Sequence, residues 1–279
     1  MNGKLYLCAT PIGNLGDITY RCVETLRTVD LIAAEDTRRT LGLLNHLEIE
    51  KPLTSYFEHN KKEKGEYLIN EMKSGKNIAL VSDAGTPAIS DPGEDLVKMC
   101  AENGIEVVPV PGAVAGINAL ISSGISTQRF TFEGFLTVNK RGRSEHLSSL
   151  KEEVRTMIFY EAPHKLMSTL KDMLSVFGDR RIALCRELTK IHEEIYRTTL
   201  SQAIARYEEN PPRGEFVLVI EGKKTEEIEK EKEEKWKEMS VSDHVEAYIK
   251  EGMSEKEALK AVAKDRGVSK RDIYSEYKI

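Results

Sequence analysis

The chain has 279 residues, 40% of them hydrophobic and 31% charged, with a formal net charge of -5. This composition fits a water-soluble globular protein, and it lacks the strongly basic balance that would announce a nucleic-acid binder, so any such contact rests on local patches. No apolar run approaches the ~20 residues needed to cross a bilayer. The run at residues 5–9 is also too short for a signal-peptide core, so the expected location is cytoplasmic.

Residues 4–10 read as a first strand, left by the Gly/Pro loop 11–17. A helix with apolar positions at Cys22, Val23, Leu26 and Val29 follows. Residues 30–34 make a second strand ending in the polar loop Glu35-Asp36-Thr37-Arg38, and a helix is expected over 39–46. A short strand at 53–56 and an amphipathic helix over 63–74 come next. The buried-strand run 77–81 then turns sharply through Ser82-Asp83-Ala84-Gly85-Thr86-Pro87 into a helix over 94–103. Small side chains at a strand's carboxyl end let a ligand lie against bare backbone. A strand at 106–110 ends in Pro111-Gly112. Strands alternating with helices predict a mostly parallel α/β sheet, with the ligand outside the strands' carboxyl ends. Four loops converge there: 11–17, 35–38, 82–89 and 111–115.

A small-residue helix over 113–124 leads to a second α/β unit. Its expected strands are 129–136, 156–160, 181–185, 192–199 and 216–221. Its expected helices are 145–154, 164–177 and 200–209. Residues 137–144 are expected to form a polar, basic loop. From 223 to 239 the composition breaks into Glu/Lys repeats. Glu226–Lys230, Glu231–Lys235 and Glu233–Lys237 stand at i,i+4 and predict a solvated helical linker. Residues 241–277 read as two or three small helices, with a capping box at Ser254-Glu255-Lys256-Glu257 and a basic end that fits an RNA contact or a packing cap. The expected domains are therefore 1–112, 113–222, a linker at 223–239 and a helical extension at 240–279.

Cys8, Cys22, Cys100 and Cys185 are far apart, with no C-x-x-C spacing, so neither a disulfide framework nor a metal site is expected. No nucleophile elbow, Walker loop, zinc motif or G-x-G-x-x-G is present. What remains is a set of polar groups at strand ends: Asn14, Asp17, Glu35, Asp36, Arg38, Asp83, Glu161, His164, Arg186, Glu187 and Glu193. Each has a plainer reading. Asp83 is equally a turn cap, residues 35–38 an N-cap with a surface ion pair, and Arg186-Glu187 a structural salt bridge. Their joint placement is the argument for a site.

Taken in order, several motifs resemble the tetrapyrrole-methylase superfamily. They are Thr10-Pro11-Ile12-Gly13-Asn14-Leu15-Gly16-Asp17, Ala34-Glu35-Asp36-Thr37-Arg38, Ser82-Asp83-Ala84-Gly85-Thr86-Pro87, Pro111-Gly112, Glu133-Gly134-Phe135-Leu136, Tyr160-Glu161-Ala162-Pro163-His164, Arg186-Glu187-Leu188-Thr189-Lys190 and Gly214-Glu215-Phe216. Within that superfamily they look like the branch that methylates small-subunit ribosomal RNA. The resemblance implies two α/β domains of the class III methyltransferase type with a small all-α extension. It implies a homodimer that transfers methyl from S-adenosylmethionine to the 2′-hydroxyl of a cytidine in the decoding region of 16S rRNA, within the small ribosomal subunit. By motif, the cofactor lies against Pro11, Asp83, Ala84, Gly85, Ile89, Val114, Ala115, Glu161 and Leu188. Glu35, Asp36 and His164 are the candidates to handle the proton. Asn14, Arg38, Lys140, Arg141, Arg143 and Arg186 face the RNA. The chain departs from the family pattern at Val114, Ala162, Lys165 and residues 137–141, yet keeps Lys140, Arg141 and Arg143. Two other functions compete: a carbon methyltransferase on a tetrapyrrole precursor, and a non-catalytic RNA-binding factor.

Overall fold

A computed structural model describes residues 2–224, 226–228, 230, 236, 239–250 and 252–278. They fall into two compact units, residues 1–149 with 155–221, and residues 150–154 with 222–279. Both sheets belong to the first unit.

The first sheet holds β1 (Leu5–Cys8), β2 (Leu31–Ala34), β3 (Leu53–Ser55), β4 (Ile78–Val81) and β5 (Val107–Val110) in the order β3-β2-β4-β1-β5. All its pairings are parallel. Its helices are α1 (Tyr20–Thr28), α2 (Thr37–His46), α3 (Lys61–Lys73) and α4 (Gly93–Glu102). Successive strand residues point to opposite faces, and both faces are covered. Leu31, Ala33, Ile78 and Leu80 pack with Leu68, Met72 and Leu96 of α3 and α4. Ile32, Ala34, Ala79 and Val81 pack with Cys22, Leu26 and Leu44 of α1 and α2. The chain leaves β1 toward one edge of the sheet and β4 toward the other, which opens a crevice between their loops.

The second sheet holds β6 (Phe130–Phe135), β7 (Thr156–Glu161), β8 (Arg181–Arg186), β9 (Glu194–Thr199) and β10 (Phe216–Ile220) in the order β6-β7-β10-β8-β9. Only β6 and β7 run parallel, so the sheet is mixed. Helix α5 (Ala115–Ser123) packs Ala119 and Leu120 against Ile158, Ala183, Cys185 and Val217. Helices α6 (Lys140–Ser149), α7 (Pro163–Phe177) and α8 (Leu200–Glu209) complete this half.

Two expected boundaries are corrected. The loop expected at residues 35–38 is the start of α2: the Asp36 carboxylate caps the helix by accepting from Arg38 N–H at 2.9 Å. The basic stretch expected as a loop is the first turn of α6, where Asn139 Oδ1 accepts from Gly142 N–H at 3.1 Å. All four cysteines are buried free thiols.

The second unit includes helices α9 (Val241–Lys250), α10 (Glu255–Asp265) and α11 (Lys270–Tyr277). They close on Val241, Val245, Leu259, Val262 and Ile273. The Ser254–Glu257 capping box opens α10, and Ser269–Asp272 forms another at α11. Arg266 turns inward: it donates to Met239 O at 2.6 Å, Trp236 O at 3.0 Å and His244 Nδ1 at 3.2 Å. His244 is buried and stacked on Trp236 at 3.9 Å, and burial lowers its pKa, with Arg266 pushing the same way. The Glu231–Lys235 and Glu233–Lys237 pairs lie outside the described residues. No helix among the described residues is long and apolar enough to cross a membrane.

Candidate active site

A cleft of about 520 Å³ opens at the carboxyl ends of the parallel strands and runs across to the second sheet. Its size is that of a pocket for one small molecule. One wall comes from the turn after β4. Gly85 pairs with Thr10 in a two-way backbone bridge, N–H to O at 3.1 Å and O to N–H at 2.8 Å. Its φ is +83°, and an added Cβ would meet Ile12 Cγ2 at 3.2 Å. Only glycine takes this position without strain, because a β-carbon crowds the backbone at positive φ. Since Thr10 uses both backbone groups of Gly85, this residue serves the cleft by its shape.

The same wall continues through Ala88 and Ser90, whose φ values are +69° and +63°. Asp91 holds the stretch at both ends, its Oδ1 accepting from Ala88 N–H at 2.9 Å and Gly93 N–H at 2.8 Å. Burial raises the Asp91 carboxyl above its ordinary range against the pull of those N–H groups. The opposite wall carries a second strained pair, Glu187 at φ +49° and Thr189 at φ +68°. Among the described residues, four of the five non-glycine positive-φ positions are these, and such strain concentrates at functional sites. Glu187 Oε1 accepts from Glu215 N–H at 2.8 Å and from Lys190 Nζ at 3.0 Å. Burial opposes the Glu187 charge, but Glu215 N–H and Lys190 outweigh it and hold the carboxyl below its usual range.

Charge in the cleft is weighted to carboxylates: Glu35, Asp83, Asp91, Glu161, Glu187 and Glu215 stand against Arg39 and Lys190. Burial, then the nearby Asp83 charge, raises the Glu35 pKa. Asp83 accepts from Asp36 N–H at 3.1 Å and pairs with Arg39 at 3.0 Å. Glu161, at the end of β7, is only 4% exposed. Its two oxygens accept from Ala162 N–H at 2.8 Å and from Thr169 Oγ1 at 2.6 Å, which satisfies a buried carboxylate. Apolar surface comes from Ile12, Ile89, Val114, Ala115, Leu188 and Phe135.

Of the residues singled out from sequence for the cofactor, Asp83, Ala84, Gly85, Ile89, Val114, Ala115, Glu161 and Leu188 line this cleft. Pro11 lines a neighbouring hollow instead. Of the proton-handling candidates, Glu35 lines the cleft. Asp36 caps α2, and the Arg38 side chain folded onto it holds its pKa down at about 2. His164 is exposed in the first turn of α7. Among the RNA-facing candidates, Asn14 caps a 3-10 turn by accepting from Gly16 N–H at 3.0 Å. Arg38 pairs with Asp36 at 2.9 Å, Arg143 with Asp172 at 2.7 Å and Arg141 with Glu145 at 2.8 Å. Arg186 lies 3.5 Å from Glu194, and Lys140 is exposed. The sequence reading missed Arg39, Asp91, Tyr160 and Lys190 in the cleft. Tyr160 looked like one more apolar strand residue, but its hydroxyl accepts from Gly116 N–H at 3.1 Å.

A sequence profile of the tetrapyrrole (corrin/porphyrin) methylases matches residues 4–204. Over 277 residues the chain is 52% identical to Ribosomal RNA small subunit methyltransferase I of Bacillus subtilis, covering 99% of this chain and 94% of that protein. The protein of the same name from Escherichia coli O157:H7 is 48% identical over 228 residues, 81% of this chain and 80% of its own. Among solved structures, uroporphyrin-III-C-methyltransferase from Thermus thermophilus superposes with a TM-score of 0.56 at 18% identity, covering 78% of this chain and 94% of that one. A cobalt precorrin-4 methyltransferase superposes at 0.59 and 17% identity, with 78% and 94% covered. These two share the fold. The chain belongs to the tetrapyrrole (corrin/porphyrin) methylase family, in the branch that holds the ribosomal RNA small subunit methyltransferases I.

Proposed function

We propose that this protein transfers a methyl group from S-adenosylmethionine to the ribose 2′-oxygen of a cytidine in the decoding region of 16S rRNA. The observation that carries the reading is an acid-lined cleft of one-ligand size in a chain that matches relatives named for ribosomal RNA along nearly its whole length. The cofactor fits the residues present. Gly85 leaves room that a Cβ would fill, Ile89, Val114 and Leu188 offer apolar surface to an adenine, and the carboxylates suit a cationic sulfonium and ammonium. When bound, S-adenosylmethionine supplies an electrophilic methyl carbon on sulfur.

The protein's own work is placement and proton removal. The walls hold donor and acceptor in line. Glu35 takes the ribose proton as the new oxygen–carbon bond forms and the carbon–sulfur bond breaks, and then releases that proton to water. Its raised pKa moves it toward the strength a general base needs near neutral pH. The exposed Lys264, Lys270 and Arg271 of the helical unit, with Lys140 of α6, complete the proposal as RNA contacts. The homodimer is also part of it, since edge strand β6 leaves Phe130, Phe132 and Phe135 exposed, and such edges invite a partner.

A tetrapyrrole acceptor is disfavoured. Its carboxylates would meet an acid-lined cleft, and Arg38 and Arg186 already face Asp36 and Glu194. The test is incubation with labelled S-adenosylmethionine and small subunits from a strain lacking the enzyme. Label on a cytidine 2′-oxygen is expected, with an acidic limb in the pH–rate profile above the ordinary Glu value of 4.5. Glu35→Gln is expected to remove that limb and cut kcat by ~10²–10⁴-fold. Label on a porphyrinogen and none on RNA overturns the reading.

A further inference from the structure

Beside the cleft lies a second hollow of about 320 Å³, between the loop after β1 and helix α2. The two share Arg39, Ser82 and Asp83, so whatever occupies the hollow abuts the cleft's contents. Three features mark it as built for a ligand. Thr40 is 5% exposed, and its hydroxyl has no hydrogen-bond partner among the described residues. Thr40 lines the hollow, and its hydroxyl still reaches solvent, so it is free to meet a polar ligand edge. Gly42 sits in mid-helix, where glycine is the poorest choice but proline, and a Cβ there would meet nothing within 4 Å. Its missing side chain keeps the hollow open. Leu15 and Leu43 give apolar faces on opposite walls, one on the loop and one on the helix.

We infer that this hollow seats the acceptor nucleoside of the RNA, splayed out of its strand. The inference rests on the proposed methyl transfer to RNA and names where the acceptor sits. Its volume suits one nucleoside and not a duplex. Apolar faces stack an unpaired base, and the Thr40 hydroxyl reads one polar edge. Arg39 bonds Asp83 yet remains 68% exposed, which leaves guanidinium for a phosphate. The sugar lies at the Asp83 end, because transfer needs the reacting atoms ~3–3.5 Å apart.

The test uses the full-length protein with labelled S-adenosylmethionine and small subunits lacking the methyl mark. Gly42→Phe fills the hollow from the helix, and Leu15→Trp fills it from the exposed loop. Each is expected to lower kcat/KM for the subunit by ~100-fold. Calorimetric S-adenosylmethionine affinity is expected to stay within about twofold, since neither residue lines the cleft. Thr40→Val is expected to raise KM several-fold. Wild-type kcat/KM in both filled variants overturns the inference. Loss of cofactor affinity in step with methylation also overturns it, because the hollow would then belong to the donor site. A wild-type enzyme that labels no RNA overturns the function on which the inference rests, whatever the variants do.

Discussion

The two walls of the cleft store the same kind of strain and restrain it by different means. On the first-sheet side, Ala88 is pinned by one nearby carboxylate, Asp91, which also accepts from Gly93 N–H, and Ser90 lies between these two anchors. On the second-sheet side, Glu187 and Thr189 are pinned through charges drawn from several places. Lys190 bridges Glu187 and Glu215, and Glu193 accepts from Thr189 N–H at 2.6 Å. Asp91 is half-buried, whereas the Glu215 side chain is 82% exposed. Exposed pairs are screened by salt, and buried carboxylate-to-amide contacts much less so. The first wall is therefore a fixed cradle, and the second yields to ionic strength through its exposed Lys190–Glu215 pair.

The largest effect should come from the cradle. Gly85→Val places a β-branched side chain at φ +83° against Ile12 and is expected to weaken S-adenosylmethionine binding by ~100-fold or more by calorimetry. Unchanged affinity would reduce this wall to an ordinary turn. Next, Asp91→Ala leaves two part-buried N–H groups without their acceptor, a cost of about 1 kcal/mol. The expected result is roughly tenfold weaker cofactor binding at every salt concentration. Smallest is Lys190→Met on the second wall, which removes pairs worth about 0–1 kcal/mol. Its affinity should drop only a few-fold and match wild type at high salt. If Asp91→Ala proved salt-sensitive and Lys190→Met did not, the contrast between the walls would be inverted.

Much of this was legible in the sequence because strands and small-residue turns leave local marks. The run at Ile78–Val81 is apolar without alternation because both faces of its sheet are covered. The boundaries that moved did so at caps. Asp36 and Asn139 each carry a side-chain acceptor just ahead of a helix, and both stretches were read as loops because charged residues follow them. The parallel first sheet was foreseen, but the antiparallel pairing of β7, β10, β8 and β9 was not. Strand direction depends on which distant segments meet, and no local pattern records it. The cleft residues missed have the same cause. Arg39 sits beside one motif and Lys190 ends another, and only the tertiary fold turns them toward Asp83, Glu187 and Glu215.

The strand order has a consequence for how the protein is made. β1 leaves the ribosome before β4 and β5 but lies between them, so it has no neighbour until those strands emerge. Lys4 N–H waits for Asn77 Oδ1, 73 positions on, and the Thr10–Gly85 bridge that shapes the cradle waits with it. Long-range parallel pairing folds slowly, and the unpaired β1 is exposed to misassociation meanwhile. Cofactor binding during refolding should therefore be among the last signals to return.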